Sequence, residues 1–245
     1  MTHPLRLQQL AKLVDLTRLN EQDNETAVMQ WLEAQLAAQG AVQPAAVCVY
    51  PAYIGVVRSL LQQYGAGCAV ATVVNFPSGD QPVEQVRQEI RAAIAAGADE
   101  IDCVLPYRQL LKGQLEEVRG FLQQVRAECG DVLLKIIIES GELATAQQVC
   151  KATELVIDSG ADFVKSSTGK VPVGVTEDAA RIMLTAIAAA DRVVGFKASG
   201  GVRTIEFAER LLSLYEELTG QLATAATMRI GASALLQDIQ QALDY

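Results

Sequence analysis

The sequence predicts an α/β fold, a (β/α)8 TIM barrel with an additional N-terminal helix. Eight short apolar runs recur along its 245 residues, and segments with helical periodicity separate them. The connections are short, and α/β barrels often fill a chain of this length. Residues 1–245 are therefore expected to form one barrel domain. An open doubly wound sheet is the alternative, but the glycine fingerprint that it often carries after the first strand is missing.

Each element has its own signal in the sequence. A helix over 5–12 is expected to precede the barrel, and the run 68–76 is apolar on both faces, as a buried parallel strand should be. Strands are predicted at 13–17, 46–50, 68–76, 100–105, 132–139, the start of 161–170, 193–198 and 226–230. Helices are predicted at 24–39 with Gly40 closing it, 53–63, from Pro82 in the first turn to Gly97, 109–128, 142–159, 176–190, 204–219 and 232–243.

The composition argues against several classes of partner. A formal net charge of -9 disfavours nucleic acid or an anionic membrane as the main partner. No basic-then-apolar signal peptide opens the chain, and no run approaches the ~18 apolar residues of a membrane span. The five cysteines, without a CxxC pair, indicate reduced thiols. A soluble, cytoplasmic protein is therefore expected.

Lys165 is the most unusual residue of the predicted strands. It lies in Ala161-Asp162-Phe163-Val164-Lys165-Ser166-Ser167-Thr168-Gly169-Lys170, at the far end of an otherwise apolar run. Burying an ammonium is costly unless it is paired or neutralised, so this lysine needs a reason. A role as a nucleophilic amine would supply one.

Further polar residues fall on common strand faces, because side chains alternate along a strand. Catalytic groups of barrels lie at the carboxyl ends of strands. The polar residues at such positions are Asp15 and Thr17, Glu100 and Asp102, Lys135 and Glu139, Lys165, and Lys197 and Ser199. A purely structural ion network is the alternative. Buried ion pairs seldom improve stability over apolar packing, so an active site is favoured.

A second lysine beside Lys165 would help to keep its amine neutral. At roughly 6 Å and an effective dielectric of about 20, the charge of Lys197 adds about 2.8 kcal/mol of repulsion. That repulsion lowers the pKa of Lys165 by about two units, and burial acts in the same direction. Asp102 is then a candidate general acid/base during the formation and loss of a carbinolamine.

A glycine-rich segment predicts an anion site. Ser199-Gly200-Gly201-Val202-Arg203-Thr204 follows strand seven, and Gly231-Ala232-Ser233 is predicted to open the last helix. Loops after strands seven and eight of barrels often bind phosphate, with help from helix N-termini. Arg203 and Lys170 could add positive charge. A plain tight turn at the two glycines is the alternative.

Seven motifs in order along the chain resemble the family of 2-deoxyribose-5-phosphate aldolases, which are class I Schiff-base aldolases. The motifs are Asp15-Leu16-Thr17, Val47-Cys48-Val49-Tyr50-Pro51, Val74-Asn75-Phe76-Pro77-Ser78-Gly79, Glu100-Ile101-Asp102, Leu134-Lys135-Ile136-Ile137-Ile138-Glu139, Asp162-Phe163-Val164-Lys165-Ser166-Ser167-Thr168-Gly169 and Lys197-Ala198-Ser199-Gly200-Gly201-Val202-Arg203. The resemblance implies reversible cleavage of 2-deoxy-D-ribose 5-phosphate to acetaldehyde and D-glyceraldehyde 3-phosphate, in deoxyribose phosphate catabolism. It implies no metal and no cofactor, and the lone His3 already excludes a multi-histidine zinc site.

The resemblance also assigns roles to residues. Lys165 matches the Schiff-base lysine, Lys197 the lysine that tunes it, and Asp102 the acid/base. The residues expected to bind substrate are Asp15, Thr17, Cys48, Lys135, Thr168, Gly169, Lys170, Gly200, Gly201, Arg203, Gly231 and Ser233. Tyr245 would ordinarily be a frayed end, but a C-terminal tyrosine assists proton transfer in some members and makes it a candidate proton relay.

Two departures and two rival functions accompany this hypothesis. Ser166 replaces a usual threonine, and Ala234 replaces a serine that often follows Ser233, which would remove one phosphate hydrogen bond. Another phosphosugar enzyme, such as a transaldolase, and a non-catalytic sugar-phosphate-binding barrel are the rivals. The expected partners are small phosphosugars and aldehydes, with no nucleic acid and no membrane, and a homo-oligomer is left open.

Overall fold

The barrel predicted from the sequence is present in the computed structural model, which describes residues 3–38 and 43–243. Eight parallel strands follow one another around a closed barrel, and the last pairs with the first. The strands are β1 (Val14–Arg18), β2 (Ala46–Val49), β3 (Ala69–Val74), β4 (Glu100–Val104), β5 (Leu133–Ile137), β6 (Phe163–Lys165), β7 (Gly195–Ser199) and β8 (Met228–Ala232). The prediction of a TIM barrel is confirmed.

Helices surround the barrel, and α1 precedes the first strand as predicted. The helices are α1 (Pro4–Leu13), α2 (Glu25–Ala38), α3 (Ile54–Gln63), α4 (Val83–Ala95), α5 (Tyr107–Leu111), α6 (Leu115–Cys129), α7 (Ala146–Asp158), α8 (Glu177–Ala188), α9 (Ile205–Thr219) and α10 (Leu235–Leu243), with a 3-10 turn over Pro51–Tyr53. Pro4 starts α1, where its missing N–H costs nothing, and α1 packs against α9 and α10. The extra helix therefore covers the point where the chain begins and ends the barrel.

The strands divide their side chains between two environments, because alternate residues face opposite sides. One face, with residues such as Leu16, Ile101 and Phe196, packs beneath the helices as the main hydrophobic core. The other face points into the barrel and carries most of the charged side chains that are buried. This separation leaves the barrel interior available for polar chemistry.

The predicted helix 109–128 is two helices in the structure. Gly113 lies between α5 and α6 with a φ of 77°, a left-handed conformation that glycine adopts at no steric cost. The chain therefore turns after Leu111 and restarts at Leu115. The apolar periodicity continues across the break, and for that reason it suggested one helix.

Other boundaries differ by a few residues. The helix predicted at 142–159 begins at Ala146, because Thr145 and Gln148 form a capping box there. β8 runs to Ala232, so α10 begins at Leu235 and not at Ala232. Pro82 precedes α4 instead of lying in its first turn. Gly40, the predicted end of the second helix, lies outside the described residues.

Among residues 3–38 and 43–243, no helix combines the length and the apolar character needed to cross a lipid bilayer.

Candidate active site

A network of charged side chains fills the barrel interior. Its members come from six of the eight strands, and each is at most 5% exposed to solvent. They are Asp15, Glu100, Asp102, Lys135, Lys165, Lys197 and Arg229. Charged groups are seldom fully buried unless they are paired, and here each contacts at least one opposite charge.

Asp102 of β4 is the centre of this network. Its Oδ2 accepts hydrogen bonds from Nζ of Lys165 at 2.8 Å and Nζ of Lys197 at 2.7 Å. Its Oδ1 accepts from Nζ of Lys135 at 2.8 Å. Burial favours the neutral acid, but the three ammonium groups outweigh that effect and hold the pKa of Asp102 well below its usual value. Asp102 is therefore a carboxylate at neutral pH.

A second group of ion pairs lies at the amino-terminal side of the barrel. Arg229 of β8 donates to Oδ1 of Asp15 at 2.6 Å and to Oε1 of Glu100 at 2.7 Å. Lys135 of β5 donates to Oε2 of Glu100 at 2.5 Å. The ring of Phe163 lies 5.7 Å from the Arg229 guanidinium carbon and closes the barrel beneath these ion pairs.

Lys165 differs from the other two lysines in how it is paired. Asp102 is the one carboxylate in contact with its ammonium among the described residues, whereas Lys197 also contacts Asp15. Lys135 approaches Glu100, Asp102 and Asp15. Lys165 therefore has the weakest compensation for a positive charge.

The pKa values of the two central lysines move in opposite directions. Burial disfavours the charged form of Lys165, and Lys197 adds repulsion, so the pKa of Lys165 is lowered despite the attraction of Asp102. Burial acts on Lys197 too, but Asp102 and Asp15 outweigh it and raise its pKa. Burial lowers the pKa of Lys165 more than repulsion by Lys197 does, although the sequence allows a number only for the repulsion.

Lys165 faces a cavity of about 280 Å³ at the carboxyl end of the barrel. Only 3% of its surface is exposed, so the amine is reached from this cavity and not from open solvent. The cavity is lined by Thr17, Leu19, Lys165, Thr168, Gly169, Lys170, Ser199, Gly200, Gly201, Val202, Arg203, Gly231, Ala232 and Ser233. Its volume suits a small metabolite.

One side of the cavity is suited to an anion. Gly200 and Gly201 both have left-handed φ values, of 82° and 87°, which let successive backbone N–H groups turn toward one point. Arg203 and Lys170 bring positive charge to the same side. The Lys170 ammonium donates to the carbonyl oxygen of Leu19 at 2.7 Å, which closes the rim between two loops.

The turn that follows Lys165 is held by a buried carboxylate. Glu139, at a left-handed φ of 52°, accepts hydrogen bonds from the Ser167 hydroxyl at 2.6 Å and from the Thr168 N–H at 3.1 Å. The Thr168 hydroxyl also donates to Glu139. These contacts fix the segment that carries Gly169 and Lys170 into the cavity wall.

The structure separates the predicted site residues into two sets. Ten line the cavity: Thr17, Lys165, Thr168, Gly169, Lys170, Gly200, Gly201, Arg203, Gly231 and Ser233. Five others do not line it and belong to the barrel interior: Asp15, Cys48, Asp102, Lys135 and Lys197. Tyr245 lies outside the described residues.

The family resemblance predicts substrate contacts for three of these interior residues. Asp15 and Lys135 are fully buried in the ion network, so their contacts are with other charged side chains. Cys48 is also fully buried, and burial raises the pKa of its thiol to about 11. Their geometry suits support of the charged groups beneath the cavity.

The sequence-based reasoning did not identify Arg229 as a site residue. The signal was a single arginine between Met228 and Ile230 in the last predicted strand, the same kind of anomaly as Lys165. Glu139 was noted on its strand face but was given no role.

Chemically, the site offers a buried amine at the base of a cavity and an ionised carboxylate 2.8 Å from it. A lysine of raised pKa, Lys197, lies beside both. A desolvated amine of lowered pKa is a nucleophile toward carbonyl carbon. The anion-binding side would hold a charged group of the same substrate.

One family model and several solved structures match this chain over most of its length. A family model described as DeoC/LacD family aldolase matches residues 9–241. A solved structure named QR15, an aldolase, is 25% identical, with 95% of this chain and 96% of that chain covered and a TM-score of 0.80.

Two further solved structures share the fold. The deoxyribose phosphate aldolase of Aeropyrum pernix, described as a unique tetramer, is 23% identical over 97% of this chain and 92% of its own, with a TM-score of 0.70. A protein of Toxoplasma gondii ME49, provisionally named a deoxyribose-phosphate aldolase, is 21% identical over 98% of this chain and 95% of its own, with a TM-score of 0.88.

Proposed function

The chain belongs to the DeoC/LacD family of aldolases, and we propose that it is a class I member that forms a Schiff base through Lys165. The proposed reaction is the reversible cleavage of 2-deoxy-D-ribose 5-phosphate to acetaldehyde and D-glyceraldehyde 3-phosphate. It would serve in the catabolism of deoxyribose phosphate.

The observation that carries the proposal is the state of Lys165. Its amine is buried, faces the cavity and has a lowered pKa, while its ion-pair partner Asp102 also serves two other lysines. A neutral amine at a cavity wall is the requirement for attack on an aldehyde. A lysine kept only for stability would be expected to keep its charge fully compensated.

In the cleavage direction, the amine nitrogen of Lys165 bonds to C1 of the open-chain sugar. The carbonyl electron pair moves to oxygen, which takes up one proton from the amine nitrogen and a second from a general acid and leaves as water, giving an iminium ion. Removal of the C3 hydroxyl proton breaks the C2–C3 bond, and its electrons move to the iminium to form an enamine. D-Glyceraldehyde 3-phosphate departs; protonation of the enamine and hydrolysis then release acetaldehyde and the free lysine.

Asp102 and Lys197 have complementary parts in these proton transfers. Asp102 is ionised at neutral pH, so it first accepts a proton and can return it in a later step. Lys197 keeps its proton, so its field favours the neutral form of Lys165 in every cycle. The phosphate end of the substrate would lie at Gly169, Lys170, Gly200, Gly201, Arg203 and Ser233.

Trapping tests the proposal directly. Incubation with acetaldehyde and borohydride should give a stable ethyl adduct on Lys165, located by peptide mass spectrometry. Lys165→Leu should lose the adduct and turnover while keeping its circular dichroism spectrum. Lys151→Leu, at an exposed position on α7, is the matched control and should behave as the parent protein.

The same assay separates the reaction from its rival. An unmodified protein, or an adduct only on other lysines, would contradict the proposal. Cleavage of a ketose phosphate without any adduct from acetaldehyde would instead assign the site to another Schiff-base aldolase. Binding of a sugar phosphate without turnover would indicate a non-catalytic barrel.

Three broader properties belong to the same proposal. The chain would act as one barrel domain over residues 1–245, with small phosphosugar and aldehyde substrates. A cytoplasmic location would suit its five cysteines, which are all free thiols. A homo-oligomer is proposed because the Aeropyrum pernix protein is a tetramer, and sedimentation analysis would measure it.

A further inference from the structure

Arg229 occupies a place in the ion network that the proposed reaction leaves without a role. It is 5% exposed and does not line the cavity, so it has no direct access to a substrate. Its guanidinium engages Asp15 through one nitrogen and Glu100 through both. Its Nε also donates to the carbonyl oxygen of Ala225, just before β8. None of these hydrogen bonds involves Lys165.

Arg229 binds two of the three carboxylates in the network and so leaves fewer carboxylate oxygens for the lysines. Asp15 gives Oδ1 to Arg229 and Oδ2 to Lys197. Glu100 gives Oε1 to Arg229 and shares Oε2 between Arg229 and Lys135. Asp102 alone contacts no arginine, and it is shared by three lysines. Lys165 depends entirely on that shared carboxylate.

The network therefore contains three carboxylates and four basic groups. The fourth buried carboxylate near the cavity, Glu139, is satisfied by Ser167 and Thr168 and contacts none of these lysines. Cys48 remains a neutral thiol at physiological pH because burial raises its pKa. With all seven groups ionised the barrel interior would carry one excess positive charge. Loss of a proton from one basic group removes that excess, and an arginine cannot be that group.

We propose that Arg229 is a positioning residue that sets the charge balance of the barrel interior and so leaves Lys165 as the neutral amine. This role rests on the proposed function of Lys165. It adds a reason why the Lys165 amine is neutral, and that reason lies at the opposite end of the barrel. Arg229 acts through Asp15 and Glu100, because it occupies carboxylate oxygens that the lysines would otherwise share.

The groups that face Lys165 come from most of the barrel. They are Asp15 from β1, Cys48 from β2, Asp102 and Glu100 from β4, Lys135 from β5, Lys197 from β7 and Arg229 from β8. β3 presents the uncharged Ala71 and Val73 to this interior. A substitution at Arg229 therefore changes one charge in a set whose other members stay fixed.

The experiment follows the pH at which Lys165 becomes reactive. The full-length protein is reacted with acetaldehyde and cyanoborohydride across pH 5 to 10, and the initial rate of Lys165 labelling is measured by peptide mass spectrometry. Arg229→Met removes the charge at similar side-chain length and should raise the midpoint pH of labelling by about one unit. Arg229→Lys keeps the charge and should leave the midpoint close to that of the parent protein.

A double substitution separates charge from packing. Glu100→Gln with Arg229→Met removes one charge of each sign, so the midpoint should return toward the parent value. Equal midpoints for Arg229→Met and Arg229→Lys would overturn the proposal, because a purely structural arginine would make both variants alike. If Arg229→Met does not fold, Glu100→Gln alone should lower the midpoint, and an unchanged midpoint there would overturn the proposal as well.

Different results would reject the Schiff-base function of Lys165 and the role of Arg229. Absence of a Lys165 adduct in the parent protein would reject the Schiff-base function itself. A parent adduct whose midpoint does not respond to the charge at residue 229 would reject only the role of Arg229.

Discussion

At the scale of single residues, Asp102 is the group on which three lysine side chains converge. It holds Lys165 by a hydrogen bond of 2.8 Å and, in the proposed reaction, would be the nearest acceptor for a proton that leaves or returns. Its ionised state depends on those same three cations. One residue therefore links the stability of the network to its chemistry.

Asp102→Asn should reduce kcat/KM by about 10²–10⁴-fold, the range expected for loss of a general acid/base. It should also destabilise the fold by about 3–5 kcal/mol, because buried cations lose a partner. Steady-state kinetics and urea unfolding measure the two effects. Asp158→Asn, at the exposed end of α7, is the matched control, and near-parent activity in Asp102→Asn would contradict the assigned role.

Much of the residue-scale prediction came from alternation along strands, which placed Lys165, Lys197 and Asp102 on inward faces. Alternation tells whether a side chain points into the barrel, but not how far along the barrel axis it lies. It could not tell that Lys135 and Asp15 pair with other charges while Thr168 and Arg203 reach the cavity. Depth follows from strand stagger, which only the closed barrel defines.

At the scale of elements, the pairing of β6 with β7 brings Lys165 and Lys197 side by side. Two residues earlier the same register places Phe163 beside Gly195. A Cβ on Gly195 would lie 2.3 Å from the Phe163 ring. The absence of a side chain there lets the aromatic ring fill the barrel below the lysines.

Gly195→Ala should therefore destabilise the protein by about 1–3 kcal/mol through overpacking, and it should lower kcat by shifting β7 relative to β6. Gly120→Ala is the matched control. Gly120 lies within α6 with nothing within 4 Å of an added Cβ, so alanine should stabilise the helix by about 0.5–1 kcal/mol. Chemical unfolding measures both, and equal effects would contradict the close approach at Gly195.

Element boundaries were hard to predict where the chain turns without a break in its hydrophobic pattern. Strands and most helices were marked by apolar runs with clear ends. The break at Gly113 and the start of α7 at Thr145 depend on local backbone and capping contacts. Periodicity does not report these contacts, although a Lys-Gly pair after Leu111 was an available signal.

At the scale of the whole molecule, the buried network links folding stability to pH. The pKa values of Asp15 and Asp102 are lowered below 3.8, so their contribution is present above that pH and is lost as pH falls through the folded values. The pKa values of Lys135 and Lys197 are raised above 10.5. Their contribution to folding stability is therefore present below pH 10.5 and is lost as pH rises through the folded values. Lys165 has the opposite sign, because its lowered pKa makes protonation oppose folding.

Asp15→Asn should remove the acid part of this dependence. The difference in unfolding free energy between the parent and the variant should be constant at neutral pH and should shrink below about pH 4, where the Asp15 carboxylate of the unfolded parent chain is protonated. Urea unfolding at a series of pH values measures it. A difference that stays constant down to pH 2 would show that the Asp15 charge does not contribute as described.

The ion pair between Asp15 and Arg229 joins residues 214 positions apart, at the seam where β8 meets β1. The two partners meet only when β8 pairs with β1 and the barrel closes. The charge balance proposed for Lys165 therefore requires a closed barrel, and a chain whose seam is open would lack it.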